Sequence, residues 1–171
     1  MVTATVSTPE VLDVEAAVAD IADPEIPVLT LGDLGIVREV RVDEAAGTAY
    51  VALTPTYSGC PATRMIEELV IHVVRKAGLT PQVETRLTPA WTTDWISERG
   101  RARLKEFGIA PPGEKPEPEG SQLLTLTVRQ VACPLCGSND TEEISRFGST
   151  ACKALRRCRS CREPFDEFKA I

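Results

Sequence analysis

The chain is poor in the parts from which hydrolytic enzymes are built. It has one histidine, His72, placed between Ile71 and Val73 in an apolar stretch. With no acid or base partner nearby in sequence, a nucleophile–histidine arrangement cannot be assembled from recognisable pieces. No glycine-rich phosphate loop and no dinucleotide fingerprint occurs. No apolar run approaches the length of a membrane span. The opening MVTATVSTPEV lacks the basic flank and long apolar core of a secretory signal, and no internal repeat is visible. What is present describes a soluble globular protein: 171 residues, 43% hydrophobic and 26% charged, room for one ordinary domain plus a small module. The expected compartment is the cytoplasm, where six cysteines at regular spacing point to metal rather than disulfides.

Charge is unevenly shared. From Gln122 onward eight Lys/Arg face six Asp/Glu, a net of +2, which leaves eleven basic against nineteen acidic residues, −8, for the remainder. An acidic body with a slightly basic tail argues against general nucleic-acid binding and against a membrane partner.

The body is organised around Thr54 to Thr63, TPTYSGCPAT, which holds Cys60. Ala49 to Leu53 reads as a buried strand running into it. Ala62 to Lys76 is apolar at Met65, Ile66, Leu69, Val70, Val73 and Val74, a helical period. Gly59 and Pro61 bracket the cysteine, the first allowing an unusual backbone angle and the second suiting a first helical turn. A thiol at that junction lies near the positive end of a helix, where amides favour a thiolate. Two readings stand on local chemistry: a reactive or metal-binding thiol, or a small buried hydrophobe.

Thr8-Pro9-Glu10 predicts a helix start, with Val11, Leu12, Val14, Val18 and Ile21 as its buried stripe and Asp23-Pro24 as its end. Asp23 to Val37 predicts a structured loop lying on the core. Ile36 to Val42 predicts a strand, Asp43 to Thr48 a hairpin turn ending at Gly47, and Val83 to Leu87 a third strand. Trp91 to Phe107 predicts a helix capped by Thr93 or Asp94, with Gly100 as a weak point and Trp91 and Trp95 stapling it to the body. The expected fold is α+β, a three-stranded sheet packed with helices, over residues 1–109. Residues 110–121, with four prolines and two glycines, predict a semi-stiff linker, and 122–171 a small C-terminal zinc ribbon.

The tail carries Cys133-Pro-Leu-Cys136 and Cys158-Arg-Ser-Cys161, separated by 21 residues. Each pair makes a knuckle that aims two thiolates at one point, and two knuckles complete a Cys₄ site for which zinc is the expected metal. A rubredoxin-like iron and an iron–sulfur cluster are the alternatives. Leu123 to Val131 and Ala151 to Arg157 are the expected ribbon strands. Cys152 falls out of register with both knuckles and reads as a free thiol unless the fold brings it to the metal. Arg156, Arg157, Arg159 and Arg162 read as a solvated or protein-facing surface rather than a phosphate grip.

DPEIPVLTLGDLGIVR, TPTYSGCPAT and WTTDWISERGRARLKEFGIAPP resemble the iron–sulfur assembly family that includes the SufT proteins. WTTDWI, the proline linker and FGSTACKALRRCRSCREPFDEFK resemble its PaaD branch, the accessory component accompanying the phenylacetyl-CoA ring 1,2-epoxidase of phenylacetate degradation. The likeness runs from about Val11 to Lys169. It implies a non-catalytic accessory that assists assembly of iron or iron–sulfur centres, with the epoxidase's oxygenase or reductase components as clients and the iron–sulfur assembly machinery as a further partner. It implies that Cys60 is the working thiol, with Asp23, Glu25, Thr54 and Thr56 on the same loop surface and iron or a transient iron–sulfur cluster as its cargo. One cysteine cannot enclose a cluster, so partner thiols or a homodimer are expected to complete it. A structural subunit of the oxygenase and a zinc-ribbon nucleic-acid regulator are the competing readings.

Overall fold

The computed structural model describes residues 13–113 and 130–170. The helix start expected at Thr8 and the strand expected over Leu123–Val131 lie wholly or mostly outside those residues.

Helix α1, Val14–Ala19, starts where the Asp13 carboxylate accepts from the Ala16 amide at 3.2 Å, and it buries Val14 and Val18. It stops at Asp20, three residues before the expected Asp23-Pro24 break. The short helix α2, Leu31–Leu34, is closed by a capping box, Thr30 and Asp33 each satisfying the other's backbone amide, and by Gly35 in the left-handed region (φ 67). A side chain on Gly35 would meet Trp95 at 2.7 Å, so only glycine closes this turn.

Strand β1, Val37–Asp43, pairs antiparallel with β2, Thr48–Leu53, through a turn at Gly47 (φ 63). Helix α3, Thr63–Lys76, then carries the chain back so that β3, Thr80–Thr85, lies parallel to β2. The sheet order is β1-β2-β3, the expected three-stranded sheet covered by helices. β2 is buried at Ala49, Val51, Ala52 and Leu53 because it is central. Helix α3 buries a narrower stripe than its sequence suggests. Ile66, Val70 and Val74 face the sheet, whereas Met65 (55% exposed) and Leu69 (36%) face outward.

The predicted third helix is broken in two. Thr93–Trp95 forms a 3₁₀ turn, and Ser97, not Thr93 or Asp94, caps α4, Glu98–Glu106, by accepting from the Gly100 amide at 2.9 Å. Gly100 is a close-packing position rather than a weak point, since a Cβ there would lie 3.1 Å from the Asp33 carbonyl oxygen. Asp33 ties α2 to α4: it takes the Ser97 hydroxyl (2.9 Å), Arg99 (2.8 Å) and Arg103 (3.2 Å). Trp91 is the staple, buried and donating from Nε1 to the Leu34 carbonyl at 2.8 Å.

The second sheet has the order β4-β7-β6-β5, from Ile109–Ala110 (β4), Thr141–Ser145 (β5), Lys153–Cys158 (β6) and Pro164–Phe168 (β7). β5, β6 and β7 form an antiparallel ribbon. β4 pairs parallel with β7, so the boundary expected between residues 109 and 110 falls inside a strand. The two halves also share a core. Phe168 and Cys152 of the ribbon cluster with Val18, Leu29, Leu34, Leu53 and Trp91 of the body, and the Phe168 ring lies 6.0 Å from that of Trp91. Burial of a phenylalanine is the strongest single driver available for such docking, about 2–3 kcal/mol. Ala110, Val131, Cys133, Cys158 and Phe165 make a smaller cluster around the knuckles.

Candidate functional site

Both knuckles of the ribbon bring their thiols to one point. The Cys133, Cys136, Cys158 and Cys161 sulfurs all lie within 4.8 Å of one another. Cys133 Sγ is 3.8 Å from Cys161 Sγ, and Cys136 Sγ is 3.6 Å from Cys158 Sγ. A tetrahedral ion with metal–sulfur bonds of about 2.3 Å requires edges of about 3.8 Å, so the four donors fit a metal as they stand. The first knuckle is closed by the Gly137 amide donating to the Cys133 carbonyl at 2.8 Å, with Gly137 at φ 77. At the equivalent place in the second knuckle stands Arg162, at φ 68. That is an unfavourable angle for a residue with a Cβ, and the turn imposes it.

The thiols are electrostatically unbalanced without a cation. The Cys161 amide, followed by the Cys136 and Cys161 sulfurs, brings the Cys158 thiol down to about 6 despite burial. At Cys161 the Glu163 amide favours the thiolate, yet burial and the Cys158, Cys136 and Cys133 sulfurs hold the thiol up at about 12. A cation held by all four sulfurs would favour the thiolate form at every one of them.

Three of the four arginines noted in the sequence are engaged by carboxylates. Arg157 and Arg159 both donate to Glu142, at 2.6 and 2.8 Å, and buried Arg156 pairs with buried Glu167 at 2.9 Å. Arg156 therefore forms an interior pair, Arg157 and Arg159 share one carboxylate at the surface, and Arg162 stands exposed.

Cys60 lies in the turn between β2 and α3. Its amide donates to the Tyr57 carbonyl and its carbonyl accepts from the Thr63 amide, both at 3.2 Å. Helix α3 begins two residues beyond Pro61, with Ala62 at its N-cap. Gly59 does not adopt a positive φ, so the special backbone angle expected there is not used. The thiol is half-buried. Its pKa is raised, contrary to the lowering that a helix start suggests. Burial pushes it up and the Glu25 and Asp23 carboxylates add to that, outweighing hydrogen bonds from the Ala62 amide and the Thr63 hydroxyl. The amides that favour a thiolate are there, but two acids oppose them.

Those acids come from the loop after α1. Asp23 Oδ1 accepts from the Glu25 and Ile26 amides at 2.9 and 2.8 Å, a turn that holds both carboxylates toward the cysteine. Burial raises the Asp23 pKa; burial and the Asp23 charge raise that of Glu25. Asp23, Glu25, Thr56 and Cys60 line a single cavity of about 20 Å³ together with Cys152 and Phe168 from the ribbon. The structure thus brings together four of the residues expected on this surface. Thr54, the fifth, is buried under the loop, donates its amide to the Ile36 carbonyl at 2.8 Å and does not line the cavity.

Sequence reasoning missed the place of Cys152, which is buried and sits not near the four-cysteine cluster but against Cys60's cavity. The sequence carries no clean signal for this: Cys152, Ala154, Arg156 and Cys158 are buried along and just before β6, but so is Lys153 between the first two. Six residues of extended chain set Cys152 about 20 Å from Cys158. His72 is exposed on α3 and touches neither cluster.

Residues 12–85 match the family described as iron–sulfur cluster assembly protein, and residues 117–169 match the PaaD zinc beta ribbon domain. Over 170 residues, 98% of each chain, the sequence is 49% identical to an Escherichia coli K12 protein that carries the provisional name of a 1,2-phenylacetyl-CoA epoxidase subunit. Among solved structures it is similar to a domain of unknown function, DUF59, from Bacillus anthracis, with 26% identity and a TM-score of 0.49 over 53% of this chain and 87% of that one. A Mycobacterium tuberculosis protein associated with Fe–S complex assembly and repair is 31% identical, with a TM-score of 0.35 over 63% of this chain and 94% of that one.

Proposed function

The chain belongs to the PaaD family, an iron–sulfur assembly domain followed by a zinc β-ribbon, and from that premise we propose that it is a non-catalytic maturation factor of the phenylacetyl-CoA epoxidase system. Its clients are the oxygenase or reductase components, and its task is to assist assembly of their iron or iron–sulfur centre through Cys60. The observation that carries this reading is the cavity at the β2–α3 junction, where a half-buried thiol stands beside two carboxylates. Among the described residues the one histidine lies elsewhere, exposed on α3. Burial, with the two carboxylates adding to it, keeps this thiol protonated and so a poor nucleophile, whereas a bound cation would favour its thiolate and offset the neighbouring negative charge.

The ribbon's role in this reading is structural. Cys133, Cys136, Cys158 and Cys161 hold one zinc ion, whose chemistry is that of a cross-link between two knuckles. The Cys60 loop and its acids receive the cargo and present it to a protein partner. Three of the four arginines that a nucleic-acid regulator would use are already paired.

The test is to purify the epoxidase components anaerobically from cells with and without this chain and to measure iron, sulfide and activity per client. Clients short of metal in its absence, with the chain itself substoichiometric in the purified enzyme, support maturation. Fully loaded clients that need this chain in stoichiometric amount for activity would replace the reading with that of a structural subunit.

A further inference from the structure

We propose that β1, at the edge of the three-stranded sheet, pairs antiparallel with β1 of a second copy of this chain about a two-fold axis at Val40, joining two sheets into one. This goes beyond the maturation reading and does not rest on it. The order β1-β2-β3 puts β1 and β3 at the edges of the sheet. β3 contains Pro81, whose missing N–H blunts that edge. β1 contains no proline, and among the described residues its outer edge has no strand partner. Its burial agrees: no residue of Val37–Asp43 is fully buried, whereas Ala49, Val51, Ala52 and Leu53 of central β2 are.

Charges usually keep an edge strand single, but on β1 their order is self-complementary. Antiparallel pairing centred on Val40 sets Glu39 opposite the second copy's Arg41, Arg41 opposite its Glu39, and Val40 against Val40. Centring on Glu39 or Arg41 instead would set like charges face to face. Both side chains are within reach of a partner, Arg41 being 64% and Glu39 33% exposed. They already pair at 2.9 Å along their own strand, and Arg86 joins Glu39 at 3.0 Å. Self-pairing carries this row of alternating charge across the axis, with two Glu39–Arg41 pairs between copies. On the other face Val40 packs against the core and is in register with Val51, so the core face of the sheet also continues, and Val42, 44% exposed, gains cover. A bulge between Val37 and Glu39 interrupts β1, but Glu39 to Asp43 keep unbroken register, and both ion-pairing residues fall within it. The axis sets the Val37 end of one copy beside the Asp43 end of the other. The Cys60 loop follows Leu53, which pairs with Val37, so the two loops stand at opposite ends of the joint, about 20 Å apart along the strands. The dimer therefore presents two independent thiols rather than one shared site.

The experiment is analytical ultracentrifugation of the zinc-loaded full chain over a concentration series. One strand pair is a small interface, so monomer should give way to dimer only over about 10–1000 µM. Glu39→Arg and Arg41→Glu each set like charges opposite one another twice across the axis, and each should weaken self-association at least about 10-fold. An equimolar mixture of the two variants again sets opposite charges face to face at both places and should recover association, as should the variant carrying both substitutions. Melting temperature and zinc content verify the fold of each. Amide exchange in the wild type, slower over residues 39–42 at high than at low concentration, tests the same edge without a substitution. A chain that is monomeric throughout overturns the proposal, even if the edge takes a strand from a different protein. So does a dimer that both single variants leave unchanged, a mixture that associates no better than either variant alone, or exchange over residues 39–42 that ignores concentration. None of these readouts involves a client, so the proposal and the maturation reading fail separately.

Discussion

Phe168→Ala tests whether the ribbon and the body are one folding unit. The Phe168 side chain is fully buried, and its ring packs at 6.0 Å and 47° against Trp91. Trp91 is fixed in turn by its hydrogen bond to the Leu34 carbonyl. Truncating a buried phenylalanine costs about 3–5 kcal/mol, transfer and cavity together. The upper part of that range applies here because Trp91 cannot move to fill the space without giving up its bond. Set against a total stability of about 5–15 kcal/mol, this is a large fraction. Urea unfolding of the zinc-loaded full chain, followed by tryptophan fluorescence, should show a single transition shifted to lower denaturant with little change in slope. Two separate transitions with the body's unchanged, or a cost below about 1 kcal/mol, would refute the shared core and with it the placement of Cys152 beside Cys60.

Asp33→Ala should cost about 2 kcal/mol, since it removes charge-assisted bonds that tie α2 to α4; chemical denaturation measures it. Although burial alone would raise the Asp33 pKa, Arg99, Ser97 and the Thr30 amide hold it below the ordinary aspartate value. Its contribution is therefore full above that ordinary value and lost as pH falls through the lower folded one, and the Ala variant should lose that part of the acid transition. Asp23 and Glu25 have the opposite sign. Their folded pKa values are raised, so the ionised forms oppose folding and the penalty grows as pH rises through the carboxylate range. Asp23→Asn, which keeps the acceptor for both loop amides, should melt no lower than wild type at pH 7 while failing to support client assembly; a clear drop in melting temperature would contradict this. Arg162→Gly should stabilise the zinc-loaded chain by about 0.5–1 kcal/mol by relieving the left-handed angle, whereas Gly137→Ala should cost a similar amount; paired melting curves measure both.

Much of this is legible in the sequence because the signals are local. Paired cysteines at two-residue spacing specify their own knuckles, and the β2–α3 junction follows from an apolar strand, a turn and a helical period. Where the structure departs from expectation, a long-range contact outweighs a local preference. Trp91–Phe107 carries one helical pattern, but Ile96 and Trp91 are both drawn into the core, and Ser97 offers the better cap, so the helix starts late. Gly100 reads as a flaw because the Asp33 backbone that needs the space is 67 residues away in sequence. A helix start favours ionisation of the Cys60 thiol; burial, together with two acids from a loop about 35 residues upstream, reverses that. Cys152, one residue before β6, takes its place in the body's core together with Phe168.

The maturation reading meets its most direct test at Cys60. The measurement is epoxidase activity and client iron content in cells whose only copy of this chain carries Cys60→Ser, with abundance, zinc content and melting temperature of the variant as controls. A working thiol predicts a variant that folds, is within about 1 kcal/mol of wild type in stability and keeps its ribbon metal, beside clients that are short of iron and inactive. A folded Cys60→Ser chain in cells with fully loaded, fully active clients would contradict it and reduce the cysteine to packing.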